Sequence, residues 1–382
     1  MTGAVVFDAS WPDELLGAAC VDLKAGMVGA ARDLLGQTRR ARDVERRALV
    51  SGVLAAVAAR SDVAEVWRRD EPGCADAWLL CARVQVVRAL ALFDRGGPTP
   101  DATRQVRAAM GACRAAYGEG GYDPVVWVAV LALLRTRLWP PLEPATRALA
   151  PLQGISGPWD LVENVLLPLL PGHREAGHRL LAYFSPRYGG RNEDHAVVAS
   201  WLCGQVGVGH PWRLLPVVVA LEHDPAQERA AAGQRAASGV RARLIRSMLA
   251  QIGPVPVSVR GPEVAHHRDQ LEAALSAEVE PEPWAARRER MGWAAEETYR
   301  AWFLASPEGS PVIPAGVPIT DLSLLAWGLY ASGRPELAGR VLRHMAPYAS
   351  RYPWSRFGDP ATQFAQVYRE CTALLPSRVG PV

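Results

Sequence analysis

DLSLLAWGLYASGRPELAGRVLRHMAPY, residues 321–348, decides the fold. An apolar run, a turn containing glycine and a shorter run with its apolar residues on one side describe two helices joined as a hairpin. Ala326 and Gly328 sit where two helices must approach closely, Gly333 sits at the turn, and Ala338 lies inside the second helix. The same plan occurs near the start in PDELLGAACVDLKAGMVGAARDLLGQ, residues 12–37. A hairpin of this kind cannot bury its apolar face alone, so copies stack and neighbours supply the core.

Working outward, helical periodicity dominates. The spacing predicts helices over 41–60, 62–69, 75–94, 102–117 and 124–138, then at about 159–170, 173–184, 193–206 and 212–222. Asp101 is expected to cap the helix at 102–117. His173 after Pro171-Gly172, and Asn192 followed by two acids, read as further helix starts. Long helices are expected over 224–253 and 282–304. PVPVSVRGPE (254–263) is the clearest break, and divides a helical-repeat region, 1–253, from a C-terminal one, 264–382. A second long loop covers 306–320. No strand, Gly-rich turn and helix follow one another, which excludes a nucleotide-binding α/β fold.

Composition narrows the class. Apolar residues make up 49% and charged residues 21%, as in a folded chain, and the net charge of +3 gives no global field toward nucleic acid or membrane. Lys24 is the only lysine, so arginine supplies the other basic residues, a bias expected of a GC-rich genome. The six cysteines form no CxxC and show no zinc-like spacing with histidine. The first residues, MTGAVVFDASWPDE, lack the basic and apolar regions of a secretory signal. VVWVAVLALL (125–134) is too short to span a bilayer. The expectation is a cytoplasmic protein with reduced thiols.

The alternation of a long and a shorter helix resembles tetratricopeptide-like helical repeats, most closely over 320–350 and less so over 12–60 and 74–118. The units depart from a strict 34-residue period and never complete the signature of that family. Residues 159–194 and 348–364 are similar to a divergent helical-repeat family of GC-rich bacteria. The resemblance implies an all-α, right-handed solenoid of stacked hairpins. It implies a concave face that binds protein or peptide, and it transfers no catalytic residue.

Candidate chemistry is sparse. Five of the eight histidines, His173, His178, His195, His210 and His223, fall between 173 and 223, near Glu193, Asp194, Cys203 and Glu222. They could build a metal or acid–base pocket around 173–212, with His178, His195 and His210 as the residues to converge. Against this, His173 and His178 are five apart, about 140° around a helix. His266-His267 point to different faces, and the Tyr188–Arg191 loop lacks a phosphate-binding continuation. The basic segment 234–247 reads as a packed helix rather than a DNA-recognition helix. Thirteen tryptophans divide between helix interiors and helix ends, and Trp284, Trp293 and Trp302 recur every nine residues, so they spiral around their helix. No carboxylate cluster or nucleophile elbow is present.

The leading expectation is therefore a non-enzymatic scaffold that binds protein or peptide on its concave face through Trp78, Arg83, Trp127, Arg135 and Trp201. Neither cofactor, metal, nucleic acid nor membrane is called for. The alternative is a helical enzyme or small-molecule binder with its pocket at 173–212.

Overall fold

A computed structural model describes residues 4–138, 168, 170–223, 284–304, 311–314 and 316–376. The expected break at 254–263, the helix at 224–253, His266-His267 and the boundary between 1–253 and 264–382 lie outside them.

The described chain is mostly helical, with almost no strand. The first half contains α1 (Glu14–Lys24), α2 (Gly29–Ala41), α3 (Val44–Ala58), α4 (Val63–Asp70), α5 (Ala75–Gly96), α6 (Pro100–Glu119) and α7 (Val125–Leu134). The second contains α8 (Arg174–Phe184), α9 (Asn192–Gly204), α10 (Leu215–Glu222), α11 (Trp284–Tyr299), α12 (Ile319–Ala331), α13 (Pro335–Met345) and α14 (Pro360–Thr372). Side chains set many of the starts. Asp13 accepts the Leu16 N–H and Asp43 the Arg46 N–H, each satisfying an amide that a helix start leaves unpaired. His173 does the same through Nδ1 for Ala176, as its position predicted.

Two caps differ from expectation. Thr99, not Asp101, caps α6, because Pro100 can occupy the first turn, where its missing N–H costs nothing. Arg191, in extended conformation, precedes α9, so Asn192 is already helical and Glu193 and Asp194 face the positive end of the dipole. The helix expected at 124–138 ends at Leu134, and the one expected at 282–304 closes in a π-turn over Arg300–Leu304.

The hairpin that opened the reading is present as α12 and α13. Gly333 adopts φ +81° at the turn. A Cβ on Gly328 would lie 2.9 Å from Val217 Cγ2 and 3.2 Å from Ala295 Cβ, so glycine here lets α10, α11 and α12 come together. One core runs from α5–α7 through α8–α14, and a smaller one fills the space between α1–α4 and α5.

The start of the described chain meets the segment that follows α13. Val6–Phe7 (β1) pairs in parallel with Tyr348–Ala349 (β2), and Trp11 stacks on Tyr348 with ring centroids 5.8 Å apart. In an open stack each unit touches only its neighbours. The sequence reading did not anticipate this contact between the first strand and the segment after α13. Among the described residues no helix is long and apolar enough to cross a membrane.

Candidate functional site

Three buried ion-pair groups tie the helices together. Arg47, on α3, donates to Asp76 at 2.7 Å, to Asp123 at 2.6 Å and to the Leu35 carbonyl at 2.8 Å. Arg83, on α5, donates to Glu175 at 2.8 Å and to the Ala48 carbonyl at 2.9 Å, while Arg179 holds the other Glu175 oxygen. Arg174, at the start of α8, forms a two-pronged pair with Asp321 of α12 at 2.6 and 2.5 Å, and its backbone N–H donates to Glu45 at 2.6 Å. Asp321 is fully buried. Burial pushes the Glu175 carboxyl up, but Arg83 and Arg179 overcome it and hold the group down at about 2. Burial pushes Glu45 up to about 7 against the pull of Arg174. The Glu45 side chain keeps 42% of its surface exposed, and solvent on that side weakens the effect. Each of these charges has a partner in place, and breaking such a pair leaves an uncompensated buried charge.

The histidines lie around these pairs without forming a common centre. His178 Nε2 is closed off from solvent without a hydrogen-bond partner, and burial, reinforced by Arg174, lowers its pKa to about 4. His195 is buried in the core with neither ring nitrogen hydrogen-bonded; Glu222 Oε2 lies 3.9 Å from Nε2, and burial lowers its pKa to about 3. His210 caps a 3₁₀ turn by accepting the Trp212 N–H at 3.1 Å, and its ring meets the Trp212 indole edge-on. Among the described residues no three His, Cys, Asp or Glu side chains are placed to hold a metal ion. His178, His195 and His210 thus serve three separate local environments: His178 beside Arg174, His195 in the core near Glu222, and His210 at the start of a 3₁₀ turn.

The residues expected to line a concave groove are dispersed too. Helix α5 is packed by α2, α3, α4, α6 and α7, so it has no open face along its middle. Arg83 is spent on Glu175, and Trp127 is 1% exposed inside the main core. Trp78 stacks beneath Arg68 and donates to the Pro72 carbonyl. Arg135 pairs with Asp94 at 2.6 Å and lies over the Tyr188 ring. Trp201 packs half-buried against the core. These five do not form one surface.

An open cleft lies elsewhere, between α9, α10 and α11, with a volume of about 670 Å³. Its floor is apolar: Ala196, Ala199 and Cys203 from α9, and Pro216, Val219 and Ala220 from α10. Trp293, 59% exposed, stands on the α11 side. The rim is charged but internally paired. Arg213 lies 3.7 Å from Glu297, and Glu296 bridges Arg300 and Arg334 at 2.5 Å each. Burial pushes the Cys203 thiol up to about 12 and its Sγ–H donates to the Trp212 carbonyl, so it is not a thiolate nucleophile. Trp302, the third of the nine-residue series, is buried and donates to the Gly209 carbonyl at 2.6 Å, on a different side of its helix from Trp293, as the spacing predicted.

The cleft uses the C-terminal part of the 173–212 window, but none of His178, His195 and His210 lines it. Sequence reasoning missed its floor because Ala196, Ala199, Ser200 and Cys203 recur at i, i+3, i+4 and i+7, the pattern of an ordinary packing face. That α11 stands off from this face is a tertiary property. No protein-family model, curated protein or solved structure matches this chain.

Proposed function

We propose that this is a non-enzymatic binding protein, built as an array of tetratricopeptide-like hairpins, whose recognition surface is the α9–α10–α11 cleft. The observation that carries the reading is an apolar floor left open beneath a rim whose charges already satisfy one another. A volume of about 670 Å³ lies within the range of sites that bury a small ligand or the anchor residues of a peptide. The occupant is a peptide segment of a protein partner: two or three apolar side chains fill the floor, Trp293 packs against them as a half-exposed aromatic anchor, and its polar flanks meet the alternating Arg and Glu of the rim.

The test places a photo-crosslinking amino acid at position 293, and at Val21 on α1 as an equally exposed control, in the native host. The reading expects one partner segment to be crosslinked from 293 and lost when Ser200→Trp fills the cleft. Equal crosslinking from both positions, or no effect of Ser200→Trp, contradicts it.

A further inference from the structure

The rim of the α9–α10–α11 cleft is paired, but not one to one. Glu296 holds two guanidinium groups at once, Arg300 on one carboxylate oxygen and Arg334 on the other. Arg334, the residue that precedes α13, packs against Gly292 and also donates to the Ser332 carbonyl. Its side chain is 27% exposed, so it is the fixed member of the group. Arg300 stands in the π-turn that closes α11, with its side chain 64% exposed, and it lines the cleft.

One carboxylate shared by two guanidinium groups leaves this triplet positive, and Arg300 carries that charge into the cleft lining. The second rim pair does not offset it, since Arg213 and Glu297, 3.7 Å apart, supply one charge of each sign. An exposed pair four residues apart on a helix is weak, so Arg300 can turn to another carboxylate at little cost. Trp293 and Arg300 are seven residues apart, two helical turns, and both line the cleft, about 10 Å from each other along α11.

We infer that the peptide segment accepted by this cleft is acidic: an aspartate or glutamate, placed about 10 Å along the segment from the side chain that packs on Trp293, pairs with Arg300. The inference rests on the cleft being the recognition surface, and it adds the sign and the place of the partner's charge. The apolar floor takes any apolar side chain of suitable size, so discrimination between segments falls to the rim. A carboxylate there balances the triplet, whereas a lysine or arginine meets two guanidinium groups that already share one carboxylate. Ten ångström corresponds to about three residues of an extended segment or about seven of a helical one.

The test selects short random peptides displayed on phage against the full chain and measures those recovered by fluorescence polarisation. Peptides that bind the wild type and are lost on Ser200→Trp belong to the cleft. They are expected to carry an aspartate or glutamate beside their apolar residues. Arg300→Glu is expected to weaken them about tenfold, and Arg300→Lys, which keeps the charge, by no more than about threefold. Replacing the peptide's acid by lysine is expected to weaken binding to the wild type and to restore it to Arg300→Glu. Cleft peptides without an acid, or an affinity unchanged by Arg300→Glu, overturn the acidic partner and leave the cleft standing. Recovery of no peptide that is lost on Ser200→Trp overturns the cleft and this inference together.

Discussion

Two regions of this molecule invite opposite readings. The junction around Arg47, Arg83 and Arg174 is rich in charge and histidine, while the α9–α10–α11 cleft is floored by alanine, valine and proline. Chemistry-bearing side chains are concentrated in the first, yet its carboxylates and guanidinium groups are consumed by pairs that join α3, α5, α8 and α12. Open volume is concentrated in the second. The contrast teaches that a cluster of ionisable groups marks a site only when some of its bonding capacity is left unspent.

The sharpest way to break this comparison is to remove one partner at the junction. Asp321→Ala leaves Arg174 buried without its carboxylate and is expected to cost about 3–5 kcal/mol, read as a loss of thermal or denaturant stability. A cost below about 1 kcal/mol would show the pair to be solvated and the junction free to take a ligand.

Acid comes next. His195 has a folded-state pKa of about 3, below its ordinary 6.5, so the unfolded chain binds the extra proton first. Stability attributable to this residue is therefore present above pH 6.5 and lost as pH falls from 6.5 toward 3, by at most about 5 kcal/mol. His178, lowered to about 4, acts in the same direction. His195→Phe is expected to flatten the slope of denaturation midpoint against pH in that window. An unaltered slope would place His195 in contact with water or an unseen partner.

Packing gives a smaller effect. Gly328→Ala pushes a methyl group toward Val217, and the net cost is expected to be about 1–2 kcal/mol after the gain in helix propensity. The smallest change in stability belongs to the cleft itself. Trp293→Ala is expected to alter stability by less than about 0.5 kcal/mol, as for an exposed side chain, while abolishing binding of the partner segment that an aromatic photo-crosslinker at 293 captures. A large loss of stability from this variant would turn Trp293 into a packing residue and remove the distinction between the two regions.

Much of the fold was legible because it rests on local signals. The 3.6-residue period located the described helices as far as α13, while α14 was not anticipated, and Gly333 and Gly328 announced a turn and a close approach that the backbone confirms. His173 was readable as a helix start because Pro171-Gly172 precedes it. The caps at Thr99 and Arg191 were misplaced by one or two residues, where neighbouring polar residues compete for the same role. The pairing of Val6–Phe7 with Tyr348–Ala349 had no local signal, since two residues carry no period.

The site was far less legible. Trp127 and Arg83 attract notice in a sequence, but whether a large or charged side chain is free depends on residues distant along the chain, here Glu175 for Arg83. The histidines lie close along the chain, but His178 and His195 sit on different helices and His210 caps a 3₁₀ turn, so the fold separates them. The cleft depends on the distance between α9 and α11, which are separated by a long stretch of sequence and whose facing residues look like any other packed stripe.

The most direct test of the central claim, that binding belongs to the cleft and not to the charged junction, is dye titration at neutral pH with 8-anilinonaphthalene-1-sulfonate. Each protein carries Gln363→Trp so that a second cavity, lined by Trp327, Tyr330 and Trp354, is closed. The account predicts that Ser200→Trp removes most of the bound-dye fluorescence while His178→Gln, at the junction, leaves it unchanged. Dye binding that survives Ser200→Trp and falls with His178→Gln would contradict it.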